Sequence, residues 1–356
     1  MSKSQIKSKI LNVSGVEFIV PENFELVKDL SRTLSKKIVA INSISKKKYF
    51  VEKLNFDSEF TDDLQFEVAS LLAHIYLGSL RVVKLCYLMR PEDFDSSKYI
   101  FKIVEYMEVS LNSVIKSSQK LTSDHVRYFL YQILIHIHYL HSHSLSLTYF
   151  TPKSFLVNSD CKLKLSKPLY EFRMNCNRIN QIEQYHDDND HTRWYLPPEY
   201  FIDKDLTLKS DMWSLGCIFY ELVARKPLFT GSDYKKMIIS QIEGLGKLDQ
   251  SDIDLVKNET ARRFLMRSQF KWNYLFDSIE GVCEDGMNIF RNLMVFDPDK
   301  RMSAVECLMH PYFEKIFVTE DLRVEIKSFD RVFDALFMDR DQIFWRLKEL
   351  FKQLEV

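Results

Sequence analysis

Asp211-Met212-Trp213-Ser214-Leu215-Gly216-Cys217-Ile218 lies inside a run, Ser210 to Val223, that is apolar on nearly every side. A surface helix keeps one polar face, so a helix with apolar residues all round is buried on every side. Three further stretches stand at fixed distances from this run. Thr192-Arg193-Trp194-Tyr195-Leu196-Pro197-Pro198-Glu199 ends twelve residues before Asp211, and Asp297-Pro298-Asp299-Lys300-Arg301-Met302 and His310-Pro311-Tyr312-Phe313 follow it. A chain of 356 residues is long enough to surround such a helix, and at this length two lobes are the natural expectation.

Upstream of the buried run the pattern is that of strands. Phe24 to Lys28, Lys37 to Ser43 and Lys48 to Leu54 are short, rich in Val, Ile and Phe, and separated by polar turns. Asp62 to His74 has helical spacing, with Leu64, Val68, Leu71 and Leu72 on one face. Val82 to Leu88 and Lys98 to Glu105 again read as strands, giving five strands and one helix up to about Glu108. Beyond it Thr122 or Ser123 caps a long helix through Val126, Phe129, Leu130, Ile133, Ile137 and Leu140. At the far end, Ile343, Leu347, Leu350, Phe351 and Leu354 form one stripe, expected to dock on the body as a tail helix. The lysine-rich start is expected to be a solvated tail.

Composition narrows the partners. A net charge of −1 gives no electrostatic reason to expect nucleic acid or an anionic membrane. The six cysteines are scattered, without paired metal spacing or disulfide-scaffold density, which suits reduced thiols inside a cell. Met1 to Gln5 lacks an apolar signal core, and no apolar run is long enough for a bilayer. The expected location is cytoplasmic, nuclear or both.

The four stretches resemble protein kinases of the MAP-kinase type. Thr192 to Glu199 is similar to the segment that closes the activation loop, Asp211 to Ile218 to the core helix of the large lobe, and the two later stretches to that lobe's closing helices. Leu245-Gly246-Lys247, Ala261 to Leu265 and Leu275-Phe276 are similar to the MAP-kinase insert. The resemblance implies an α+β, bilobal kinase fold. Residues 1–23 would be an extension, 24–108 a β-rich small lobe, 109–317 a mainly helical large lobe with the insert, and 318–356 a tail packing on the body. It also implies two structural roles, a buried pair between Glu199 and Arg301 and a loop-capping Asp211.

The chemistry is another matter, because phosphoryl transfer needs a phosphate cradle, a positioning lysine, Mg²⁺ ligands and a residue orienting the hydroxyl. Where the family has its glycine-rich turn, Asp29 to Lys36 contains no glycine. Tyr49-Phe50-Val51-Glu52-Lys53-Leu54 matches the third strand, so Glu52 stands for the phosphate-binding lysine and Lys53 points to the other face. A carboxylate there repels polyphosphate. A one-residue slip would reverse the two. Phe50 takes the place of a small residue beside the adenine, Glu67 matches the helix glutamate, and Val104 and Met107 match further ATP-pocket positions. In the catalytic loop Tyr149 replaces the aspartate, Thr151 the lysine and Ser154 the Mg²⁺-binding asparagine. Lys167 replaces the metal-binding aspartate, and an ammonium repels Mg²⁺. The phosphorylatable pair falls on Asp187 and Asn189, read as a solvated loop rather than a phosphate mimic. Glu52 and Lys167 exchange charge signs relative to the family, which suggests either an ion pair, with Glu67 as a third member, in the place of ATP and Mg²⁺, or two independent losses with both side chains in solvent.

The expectation is therefore a pseudokinase. No catalytic residue, cofactor or metal is expected, and the partners are other proteins, signalling kinases or their substrates. The alternative is an atypical serine/threonine kinase that still uses ATP and Mg²⁺. Glu320 and Asp321 fall near the family's acidic docking patch, but two acids in a charged chain read more simply as a solvated loop.

Overall fold

The structure, a computed structural model, describes residues 7–30, 36–55, 68–74, 81–92, 99–147, 150–166, 192–203, 206–267, 279–324 and 339–354. They form two compact units. The first comprises the described residues up to Glu108, Lys164 to Ser166 and the C-terminal helix; the second comprises Val109 to Leu163 and Thr192 to Val324.

The first unit is built on a five-stranded antiparallel sheet of β3 (Phe24–Asp29), β4 (Lys37–Asn42), β5 (Lys48–Asn55), β6 (Leu85–Met89) and β7 (Tyr99–Glu105), in the order β3-β4-β5-β7-β6. One face is sealed by a hairpin of β1 (Ser8–Val13) and β2 (Val16–Pro21), so the start of the described chain is not the solvated tail expected of it. Alternation explains why the hairpin forms and how it sits: in Glu17-Phe18-Ile19-Val20 the even positions are fully buried and the odd ones are not. Its two-residue turn needs positive φ at both positions, and Ser14 (49°) and Gly15 (79°) supply it. Phe18 and Val20 join Ile38, Ala40, Val51, Phe101 and Ile103 in one apolar cluster. The tail helix Arg340–Leu354 packs against β6 as its stripe predicted, burying Ile343, Leu347, Leu350 and Phe351. The Arg90 guanidinium lies 5.3 Å from the Phe351 ring centre.

The second unit gathers around two helices. Ser123–His141 is capped by Thr122, whose hydroxyl accepts from the His125 N–H, and it buries Val126, Phe129, Leu130, Ile133, Ile137 and Leu140. Leu208–Ala224 is buried at every position from Ser210 to Leu222, as its lack of a polar face requires. Gly216 sets its distance from the neighbouring helix Glu284–Leu293: a Cβ there would fall 2.3 Å from the Met294 sulfur and 3.3 Å from the Leu293 Cβ. The insert forms the helices Gln250–Leu255 and Glu259–Arg267, joined to Tyr234–Leu245 through Ile238, Ile242, Val256 and Leu265. Asp321 is less free than a solvated loop implies. The Tyr131 hydroxyl donates to its carboxylate (2.8 Å) and accepts from the Val318 N–H (2.9 Å). No helix among the described residues is long and apolar enough to cross a membrane.

Candidate functional site

In the first unit, strand register fixes the row that matches the positioning lysine. Lys37, Glu52 and Lys102 are directly opposite one another across β4, β5 and β7, and Val39, Phe50 and Val104 form the next row. Opposed residues share a face, so these six side chains stand on the side away from the hairpin. Glu52 Oε2 lies 3.3 Å from Lys102 Nζ, with the side chains 12% and 6% exposed. Lys53 stands on the hairpin face, its ammonium 3.7 Å from the centre of the Tyr99 ring. Burial, and then the nearby Lys36, push its pKa down. No slip has occurred, and the position matching the positioning lysine holds a carboxylate that is already paired.

The adjoining row is crowded. Phe50 lies 4.8 Å from Tyr106, centre to centre, and the Lys37 ammonium sits 4.4 Å from the Phe50 ring centre. Val104 is buried opposite Phe50, and Met107 is buried just beyond β7. His74 completes the face: its Nδ1 lies 2.8 Å from the Val83 carbonyl, and its pKa is lowered to about 3, first by burial and then by Lys102. It is therefore neutral at ordinary pH, with Nδ1 donating to that carbonyl.

The second unit holds the turn that matches the catalytic loop. Ser154 is buried, and its hydroxyl accepts from the Thr151 N–H at 3.0 Å. The Thr151 hydroxyl accepts from the Lys153 N–H at 3.1 Å, so the two side chains cap the short helix Pro152–Ser154 reciprocally. Residues matching a positioning lysine and a metal ligand have become backbone caps. Among the described residues no group of His, Cys, Asp and Glu could hold a metal ion.

The supports around that turn are fully formed. Asp211 is completely buried and accepts from the Leu147 N–H (2.9 Å) and the Ser146 hydroxyl (3.0 Å), with His141 Nε2 at 2.8 Å. Arg301 clasps Glu199 through two bonds of 2.8 and 2.7 Å. Tyr195 donates to Glu221 at 2.6 Å, and burial raises the Glu221 pKa while that hydrogen bond opposes the rise. Tyr195→Phe leaves this buried carboxyl short of a donor. The expected loss is about 1–3 kcal/mol, read as a lower urea midpoint at unchanged slope.

Glu67, Tyr149, Lys167, Asp187 and Asn189 lie outside the described residues. The supposed Glu52–Lys167 pair is therefore undescribed, whereas Glu52–Lys102 is present. Lys37 and His74 carry no local signal in the sequence. One signal was available for Lys102, a lone cation inside the otherwise apolar strand Tyr99-Ile100-Phe101-Lys102-Ile103-Val104.

Residues 23–313 match the protein kinase domain, and the chain belongs to that family, with its bilobal fold. Within it the chain is MAP-kinase-like. It is 30% identical over 346 residues to Extracellular signal-regulated kinase 1 of Dictyostelium discoideum, covering 95% of this chain. The chain spans 63% of that relative's length. It is also 32% identical over 282 residues to Mitogen-activated protein kinase 4 of Oryza sativa subsp. japonica, covering 78% of this chain and 74% of that one. Mitogen-activated protein kinase 14 of Arabidopsis thaliana is 31% identical over 285 residues, with 79% and 76% covered.

Proposed function

We propose that this MAP-kinase-like chain is a pseudokinase, which acts by binding other proteins rather than by transferring phosphate. The observation that carries the reading is the carboxylate of Glu52 at the family's lysine position, ion-paired with Lys102 while Lys53 faces the hairpin. A carboxylate facing a polyphosphate is repulsive, on the order of 1 kcal/mol or more per close contact even at high effective dielectric. The capped turn at Thr151 and Ser154 adds to it, since neither hydroxyl replaces a lysine or a Mg²⁺-binding amide oxygen. What is retained is the scaffold: Asp211 under its loop and Glu199 on Arg301. A chain that keeps kinase surfaces without the chemistry suits a scaffold or an allosteric partner of signalling kinases or their substrates, in cytoplasm or nucleus.

The second reading is an atypical serine/threonine kinase, and the observation in its favour is that Lys102 brings an ammonium to the same face as Glu52. Thermal unfolding with and without ATP and Mg²⁺, run beside a phosphate-incorporation assay, separates the two. Under our reading millimolar ATP moves the midpoint by less than a degree and no phosphate is incorporated. A Mg²⁺-dependent rise of several degrees, with incorporation, would put the second reading in its place.

A further inference from the structure

The turn between β4 and β5 presents one apolar side chain beside three cations. Ile44 is 80% exposed, so it fills no cavity of its own chain, and Lys46, Lys47 and Lys48 just after it are exposed as well. We propose that this turn is a docking knob for a second copy of this chain, in which Ile44 enters a cavity beside Leu255 and the lysines meet the carboxylates on its rim. The inference rests on the reading that the chain acts by binding proteins, and it names one such partner.

The knob is held in shape by its own hydrogen bonds, which keeps the ordering cost of docking low. The side-chain oxygen of the buried Asn42 accepts from the N–H groups of Ile44 (3.0 Å) and Ser45 (2.9 Å). The Asn42 N–H donates to the Lys47 carbonyl (2.9 Å), and its carbonyl accepts from the Lys46 N–H (2.8 Å). The Ser43 hydroxyl ties the turn to the Asn23 carbonyl (3.0 Å). The socket is in the second unit, at the end of the insert helix Gln250–Leu255, and is a cavity of about 190 Å³. Ile202, Val256 and Phe296 give it an apolar lining, and Leu255, 47% exposed, and the exposed Asp299 bring it to the surface. An apolar cavity of about 150 Å³ holds benzene, so this one has room for the side chain of an isoleucine. Asp203, Asp297 and Asp299 stand on the rim. Asp249 and Asp252 reinforce them: burial raises the Asp252 pKa first, and Asp249 and Asp297 raise it further while Lys300 opposes them. These acids outnumber the two cations among them, Lys257 and Lys300. An apolar centre and opposite charges are thus matched between two surfaces of one sequence, and such complementarity selects the partner.

The test is sedimentation equilibrium of the full chain at roughly 0.01 M ionic strength, where the Debye length is about 30 Å. The mean mass of the wild type is expected to rise with concentration above that of one chain. It is expected to fall back when salt is raised to roughly 1 M. Ile44→Asp, which spoils the knob, and Leu255→Lys/Asp299→Lys, which spoils the socket, are each expected to sediment as monomers. An equimolar mixture of the two is expected to form a pair and stop there, because one knob and one socket remain between them. Unchanged thermal midpoints check that these exposed positions tolerate the changes. If either variant does not fold, Lys47→Glu replaces the first and Asp299→Lys alone the second. A wild type that stays monomeric would overturn the proposal and point to an acidic surface on another protein instead. A variant that associates like the wild type, or a mixture that stays monomeric, would also overturn it. None of these outcomes bears on the pseudokinase reading, which falls only if the wild type itself binds ATP with Mg²⁺ and transfers phosphate.

Discussion

Arg301→Met is expected to cost about 3–5 kcal/mol, the range for removing one partner of a buried ion pair. For a unit of this size that corresponds to a drop on the order of 10 °C in the unfolding midpoint. The reason lies in what is left behind. Arg301 is 1% exposed, and besides Glu199 its guanidinium donates to the carbonyls of Val295, Phe296 and Lys209. Methionine fills much of the volume but donates to none of them, so a carboxylate and three carbonyls lose a partner together. Glu199→Gln should cost less, because the arginine keeps its carbonyl bonds and the Ser210 hydroxyl can still donate to the side-chain oxygen. Urea titration of both single variants and the double mutant measures the coupling. Equal losses in the two single variants would contradict this asymmetry.

Asp211→Ala is the second large effect, with an expected loss of about 3–5 kcal/mol. Here the stranded groups are donors: the Leu147 N–H and the Ser146 hydroxyl, both buried, with His141 beside them. Asp211→Asn should retain a sizeable share, since its amide oxygen can still accept one of them. Hydrogen exchange provides the local readout. The Leu147 amide should exchange much faster in Asp211→Ala at denaturant concentrations where the global fold persists, because its partner is gone. Unchanged protection of that amide would mean that the carboxylate is not what holds the loop.

Much of this was legible in the residues. The helix around Asp211 announced itself by having no polar face, and the helix after Thr122 by its cap and its apolar spacing. That Glu52 and Lys53 stand on opposite faces follows from a strand's period of two, which local spacing alone carries. Lys102 was not legible in the same way. That it stands opposite Glu52 depends on how β5 and β7 align, with the 43 residues 56–98 between the two strands, and register over such a distance is set by tertiary packing. The hairpin has a local signal, since Ser14-Gly15 between alternating segments is a two-residue turn, but the neighbouring lysines have the composition of a tail. Ser154 and Thr151 were read for what they replace, and their capping of each other appears only once the turn is built.

The hairpin and the terminal helix also bear on what counts as a domain here. The family match begins at residue 23 and stops at 313, yet Phe18 and Val20 lie before that boundary and Leu347 and Phe351 after it, all within the core of the first unit. A fragment cut at the bounds of the domain match would lose the hairpin that seals one face of the sheet and the helix that packs on β6, leaving greasy surface bare in both places. The domain match and the packed unit draw their borders in different places, and a piece cut at 23 and 313 is expected to turn Val51, Phe101 and Ile103 toward water.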